Sequence, residues 1–121
     1  MIVQVLVVDD QAPFRQAMAA VVAETDGFHV VGQAATGEES VSVCRELRPD
    51  LVLMDVHLPG IDGVEATRLV RALPSPPVVL LLSTYDADAA DGFGESGAAA
   101  YVTKGDFGPE RLTSAWAAAI R

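Results

Sequence analysis

Three apolar runs fix most of what this chain can become. Leu51-Val52-Leu53-Met54 ends at Asp55, and Val78 to Leu82 ends at Ser83-Thr84-Tyr85. Val3 to Val8, broken only by Gln4, ends at Asp9-Asp10. A short apolar run without alternation suits a strand covered on both faces, as in a parallel sheet. The Asp55 run leads into Val56-His57-Leu58-Pro59-Gly60-Ile61-Asp62-Gly63, whose Pro and two Gly read as a loop. Each run thus delivers polar groups to the carboxyl end of a buried strand, the edge where open α/β sheets bind ligands.

The intervening segments read as helices and two further strands. Gln11 to Glu24 places Phe14, Met18, Val21 and Val22 at helical spacing, and Asp26-Gly27 turns the chain into a strand, Phe28 to Ala34. Thr36 with Glu39 three residues on is a capping-box pattern, opening a helix that Pro49 stops after Arg48. Its inner stripe is expected to be Val41, Cys44 and Leu47. A third helix, Gly63 to Ala72, follows a cap at Asp62 and is expected to bury Ala66, Leu69 and Val70. Asp86 to Glu95 reads as a weak helix, because interior Gly92 and Gly94 each cost about 1 kcal/mol relative to Ala. Ala98 to Val102 is a short fifth strand, followed by Thr103-Lys104-Gly105. Pro109 opens the last helix, with Leu112, Trp116, Ala119 and Ile120 expected on its inner side.

The order is βαβαβαβαβα. Strict alternation implies parallel strands, right-handed crossovers and helices on both faces. The expected fold is α/β and doubly wound: a five-stranded parallel sheet of flavodoxin-like (CheY-like) type, strand order 2-1-3-4-5, with residues 1–121 as one domain.

Composition narrows the function classes. Seventeen acidic residues against eight basic ones give a formal net charge of −9, which repels phosphate backbones and argues against nucleic-acid binding by this segment itself. No run approaches the ~18 apolar residues of a membrane span, so no membrane partner is expected. The single cysteine, Cys44, excludes an internal disulfide, fits a reducing cytoplasm and falls among helical core positions. His29 reads as a strand-edge surface residue. Only one lysine is present, Lys104, so its placement stands out.

In a parallel sheet the ends of strands one, three, four and five share an edge. Asp9, Asp10, Asp55, Ser83, Thr84 and Lys104 therefore converge from far apart in sequence. Any one of them alone would be an ordinary helix cap or a solvated side chain. Together they form a chemical set. Three close carboxylates repel one another, and a divalent hard cation such as Mg2+ relieves that repulsion through oxygen ligands while keeping positions open for phosphoryl oxygens. A carboxylate can attack phosphorus to give an acyl phosphate. A lysine adds a compact positive charge and a serine a hydrogen bond to the transferring group.

Asp9-Asp10, Met54-Asp55-Val56-His57-Leu58-Pro59-Gly60-Ile61-Asp62-Gly63, Ser83-Thr84 and Tyr101-Val102-Thr103-Lys104 resemble the receiver domain of bacterial two-component response regulators, along essentially the whole chain. The resemblance implies Asp55 as phosphoacceptor, loaded from the phosphohistidine of a sensor histidine kinase. It implies Mg2+ held directly by Asp10, Asp55 and the backbone carbonyl of His57, with Asp9 acting through a metal-bound water. Lys104 would hold a phosphoryl oxygen, Ser83 would hydrogen-bond another, and Tyr101 would be the switch aromatic that turns inward when Ser83 moves. Such a chain is a switch that catalyses only its own phosphorylation and dephosphorylation, not a turnover enzyme.

Gly105 replaces the Pro that many receivers carry after the lysine, which favours the NarL/FixJ-like branch and removes any need for a cis peptide there. That branch implies a C-terminal helix-turn-helix domain, absent here, so that DNA binding and transcription regulation belong to a longer parent chain. The helix bearing Phe14 and Arg15 would face the kinase. The fourth helix, fifth strand and last helix would carry output, through a homodimer or an attached domain. His57 and Tyr85, each two residues past a site residue, are expected to tune phosphoryl lifetime. Two rivals are a haloacid-dehalogenase-like phosphatase, disfavoured by the adjacent Asp9-Asp10 on the first strand, and a pseudo-receiver that binds a partner without phosphorylation.

Overall fold

A computed structural model describes residues 1–84 and 93–121. The elements are β1 (Val3–Val8), α1 (Ala12–Ala23), β2 (Phe28–Ala34), α2 (Gly37–Leu47), β3 (Leu51–Asp55), α3 (Gly63–Arg71), β4 (Val78–Ser83), α4 (Phe93–Ser96), β5 (Ala100–Thr103), a 3-10 turn (Lys104–Asp106) and α5 (Pro109–Ala119). The strands form one parallel sheet in the order β2-β1-β3-β4-β5, as expected. The part of the expected fourth helix at Asp86 to Gly92 lies outside the described residues.

Why the apolar runs do not alternate is visible in the two cores. On one face Val5, Val7, Leu51, Leu53, Leu80 and Leu82 pack with Met18 and Val22 of α1 and Leu112 and Ala115 of α5. On the other, Leu6, Val8, Val52, Met54, Val79 and Leu81 pack with Cys44 of α2 and Val64, Ala66 and Val70 of α3. Each buried Leu contributes roughly 1.5–3 kcal/mol, and both faces of the central strands draw on it. The strand ends nearest the site are thereby held in a rigid slab. Among the described residues no helix is long and apolar enough to cross a membrane.

The helix faces depart from expectation. Phe14, Leu47, Leu69 and Ile120 are 41–58% exposed rather than inward. The inner residues of α2 are Gly37, Ser40 and Cys44, and those of α3 include Gly63, Ala66, Thr67 and Val70. These helices touch each other closely: a Cβ at Gly37 would meet the Ala66 Cβ at 3.1 Å. Close approach selects small residues, and the buried hydroxyls cost little because each bonds its own helix, Ser40 to the Gly37 carbonyl at 2.6 Å and Thr67 to the Gly63 carbonyl at 2.7 Å. On α5, Ala115 takes the buried place expected for Ile120, while Trp116 packs edge-on against Phe28. The fifth strand starts at Ala100 rather than Ala98, and β4 extends through Ser83.

The expected caps form. Thr36 accepts from the Glu39 N–H at 3.0 Å and Asp62 from the Glu65 N–H at 2.8 Å. Glu39 in turn accepts from Ala35 N–H at 2.7 Å, one residue before the position of a standard capping box. No cis peptide bond occurs among the described residues.

Candidate functional site

Register brings the polar strand ends together. Val8 lies beside Met54, Asp55 beside Leu82, and Ser83 beside Thr103. Asp9, Asp10 and Asp55 each offer an oxygen within 4.8 Å of the others, and Asp9 and Asp55 are buried while Asp10 is exposed. Lys104 reaches in from the residue after β5. Its Nζ lies 2.8 Å from Asp9 Oδ2 and 3.4 Å from Asp55 Oδ1, and 4.2 Å from the centre of the Phe14 ring. Phe14, expected in the core, instead lies over the ammonium, where its π-face favours the cation.

Asp9 is fixed at every polar atom. Its N–H donates to the Ala34 carbonyl (3.1 Å), its carbonyl accepts from Arg15 (2.8 Å), Oδ1 accepts from Gln11 N–H (2.9 Å), and Oδ2 takes the lysine. Asp55 is held less firmly. Burial first, and then the charge of Asp9, push its carboxyl up from 3.8 to about 6, against the opposing pull of Lys104 and a backbone hydrogen bond from His57. Two buried carboxylates thus share a single ammonium, with the exposed Asp10 carboxylate beside them. That excess of negative oxygen fits a hard divalent cation, and Asp9, Asp10 and Asp55 are the side chains able to hold it.

The loop after β3 sets the Asp55 backbone. Val56 N–H donates to the Leu82 carbonyl at 2.9 Å, and Gly63 N–H donates to the Val56 carbonyl at 2.8 Å. Gly60 sits at φ +74°, and the Glu38 carboxylate rests against it, its Oε2 3.4 Å from Ile61 N. An added Cβ at Gly63 would run into the Asp55 carbonyl oxygen. In the sequence Gly63 reads only as a loop former. Its fixed distance after Asp55 was the available signal, but the close approach that demands it is a tertiary fact.

The remaining expected residues are placed as follows. Ser83 is fully buried at the end of β4, and Tyr101 is half-buried on β5 beside Leu81, packed on the α2–α3 face of the core. The His57 side chain is exposed. Tyr85 lies outside the described residues. Arg15, expected to face a partner, is turned to its own molecule, with Nε 3.1 Å from Gln33 Oε1 as well as the bond to Asp9.

Similar proteins place the chain in a family. The chain is 47% identical over 104 residues to the response regulator GacA of Pseudomonas viridiflava, covering 85% of this chain and 49% of that protein. It is 37% identical over 103 residues to the transcriptional regulatory protein LiaR of Bacillus subtilis, covering 84% and 49%. The chain therefore spans about half the length of these curated relatives. Among solved structures, the signal receiver domain of the response regulator NarL from Mycobacterium tuberculosis superposes with a TM-score of 0.87 at 29% identity, over 98% of this chain and 97% of that one. A family model for the response regulator receiver domain matches residues 5–117. With that match running from the first buried strand nearly to the end of the last helix, the chain belongs to the response regulator receiver domains of two-component systems.

Proposed function

We propose that this chain is a phosphorylation switch in which Asp55 takes a phosphoryl group from the phosphohistidine of a sensor histidine kinase. The observation that carries the reading is the Lys104 ammonium shared between Asp9 and Asp55 beside the open carboxylate of Asp10. A carboxylate oxygen of Asp55 attacks phosphorus, the P–N bond to the donor imidazole breaks, and the imidazole nitrogen keeps the electron pair and takes a proton. Lys104, already within 3.4 Å of Asp55, neutralises charge on the transferred group. Asp10, Asp55 and the His57 carbonyl would hold Mg2+ directly and Asp9 through water; when bound, the ion supplies compensation for the charge of carboxylates and phosphoryl oxygens.

Ser83 then donates a hydrogen bond to a phosphoryl oxygen and Tyr101 turns inward. A new dianionic group thereby biases the surface formed by α4, β5 and α5. Output is dimerisation, or control of an attached helix-turn-helix domain that regulates transcription; the regulatory names of GacA and LiaR, of which this chain spans half, support that part. The switch works in the cytoplasm and turns over no other substrate. The exposed side chain of His57, with Tyr85, tunes phosphoryl lifetime.

The test is intact mass after incubation with magnesium and acetyl phosphate, for the wild type and Asp55→Asn. One added phosphoryl group, lost in the variant, is the expected result. Rapid consumption of donor with no lasting adduct would point to a phosphatase. Neither adduct nor consumption would leave a phosphorylation-independent binding module.

A further inference from the structure

Arg15 takes no part in the chemistry above, yet its guanidinium is committed to the backbone of the site. NH1 donates to the Asp9 carbonyl at 2.8 Å, and Nε donates to Gln33 Oε1 on β2 at 3.1 Å. The Asp9 carbonyl belongs to the peptide unit that joins Asp9 to Asp10, so fixing that unit fixes where the Asp10 backbone, from which its carboxylate extends, enters the site. Asp10 itself is exposed, and its carboxylate makes no hydrogen bond or ion pair among the described residues. Gln11, the cap residue of α1, provides no side-chain cap either. The loop is anchored instead through Asp9, and Arg15 is the anchor on the carbonyl side.

We propose that Arg15 is a positioning residue for the divalent cation. By bridging the Asp9–Asp10 peptide to Gln33 it keeps the Asp10 carboxylate turned toward Asp55, within the 4.8 Å cluster. The inference rests on the proposed metal-dependent function and adds a residue to it. It also makes a prediction opposite in sign to simple electrostatics. Arg15 is a positive charge beside a cation site, so by Coulomb's law its removal should tighten cation binding. As a positioning residue, its removal should weaken binding, because ligand orientation commonly decides metal affinity by tenfold or more.

Magnesium binding to the whole chain, measured by isothermal titration calorimetry, separates the two. Arg15→Met keeps the apolar stem and loses the donors, and its Kd is expected to rise about tenfold. Arg15→Lys, with one donor group in place of a fork, should fall between Met and wild type. In the metal-free protein the Asp10 amide resonance should shift while the resonances of β3 and β4 stay in place. Phosphorylation by acetyl phosphate should need more magnesium for half-maximal rate but reach the wild-type rate at saturation.

Equal or tighter binding by Arg15→Met overturns the proposal while leaving the proposed function intact. A wild-type chain that binds no magnesium overturns both. If Arg15→Met does not fold, Arg15→Lys and Gln33→Leu carry the same comparison. Each should weaken binding by a smaller factor, and unchanged affinity in both refutes the role.

Discussion

The loops after β1 and β3 lie side by side at the sheet edge and are built differently. The first, Asp9 to Gln11, contains no glycine and is held by charged side chains reaching it from α1 and from the end of β5. The second, Val56 to Asp62, leads into Gly63 and is held by backbone hydrogen bonds and by contacts too close for a side chain. A loop fixed by charge responds to ions, pH and a neighbouring lysine. A loop fixed mainly by contact, as the second is despite the Glu38 carboxylate near Ile61 N–H, responds less. The site thus sets a loop whose order depends on charge pairing at Asp9 against an Asp55 backbone held by close packing, an arrangement suited to a group that must react without shifting its own strand.

Breaking the contact-held loop should have the largest effect. Gly63→Ala places a methyl on the Asp55 carbonyl, where only backbone can give way, and should destabilise the fold by about 3 kcal/mol or more. Thermal melting reads this directly, and a melt within a degree of wild type would show that the close approach is not needed.

The Asp55 carboxylate itself should respond in the opposite direction. Asp55 has its carboxyl raised from 3.8 to about 6, so the folded chain favours its protonated form. Its contribution is fully favourable below about pH 4 and is lost as pH rises through 6, leaving a buried carboxylate that costs stability at pH 7. Asp55→Asn should therefore stabilise the metal-free chain at pH 7, by on the order of 1–3 kcal/mol, since Lys104 loses a partner at the same time. The gain should fade as pH drops from 6 to 4. Urea melts at pH 7 and pH 4 would contradict this if the Asn variant were equally stabilised at both.

The smallest expected effect sharpens the comparison within the β3–α3 loop. Gly60→Ala keeps the same chain path at φ +74°, and its nearest neighbour is the Glu38 carboxylate at 2.6 Å, the end of a flexible side chain. It should cost about 1 kcal/mol, well short of Gly63→Ala. Equal losses at both glycines would mean that conformation, not contact, governs this loop.

Much of this architecture was legible in the chain. Runs such as Leu51–Asp55 announce a strand buried on both faces, and the strict alternation of strands and helices gives the parallel sheet. Asp9, Asp10, Asp55, Ser83 and Lys104 could be placed on one edge because strand polarity alone sends them there. Helix faces were harder. Leu47 and Leu69 were expected inward because apolar residues usually are, whereas Gly37, Ser40 and Thr67 fill those places, since α2 and α3 approach too closely for larger side chains.

By itself, then, the sequence determined the order of elements, the doubly wound class and the chemical inventory of the site, all of which follow from local pattern and strand direction. Tertiary structure decided which carboxylates are buried, which atoms Lys104 bridges, why Gly63 must be glycine, and that Arg15 turns to the Asp9 carbonyl instead of to solvent. Those facts depend on distances between segments far apart in the chain, which no local pattern encodes.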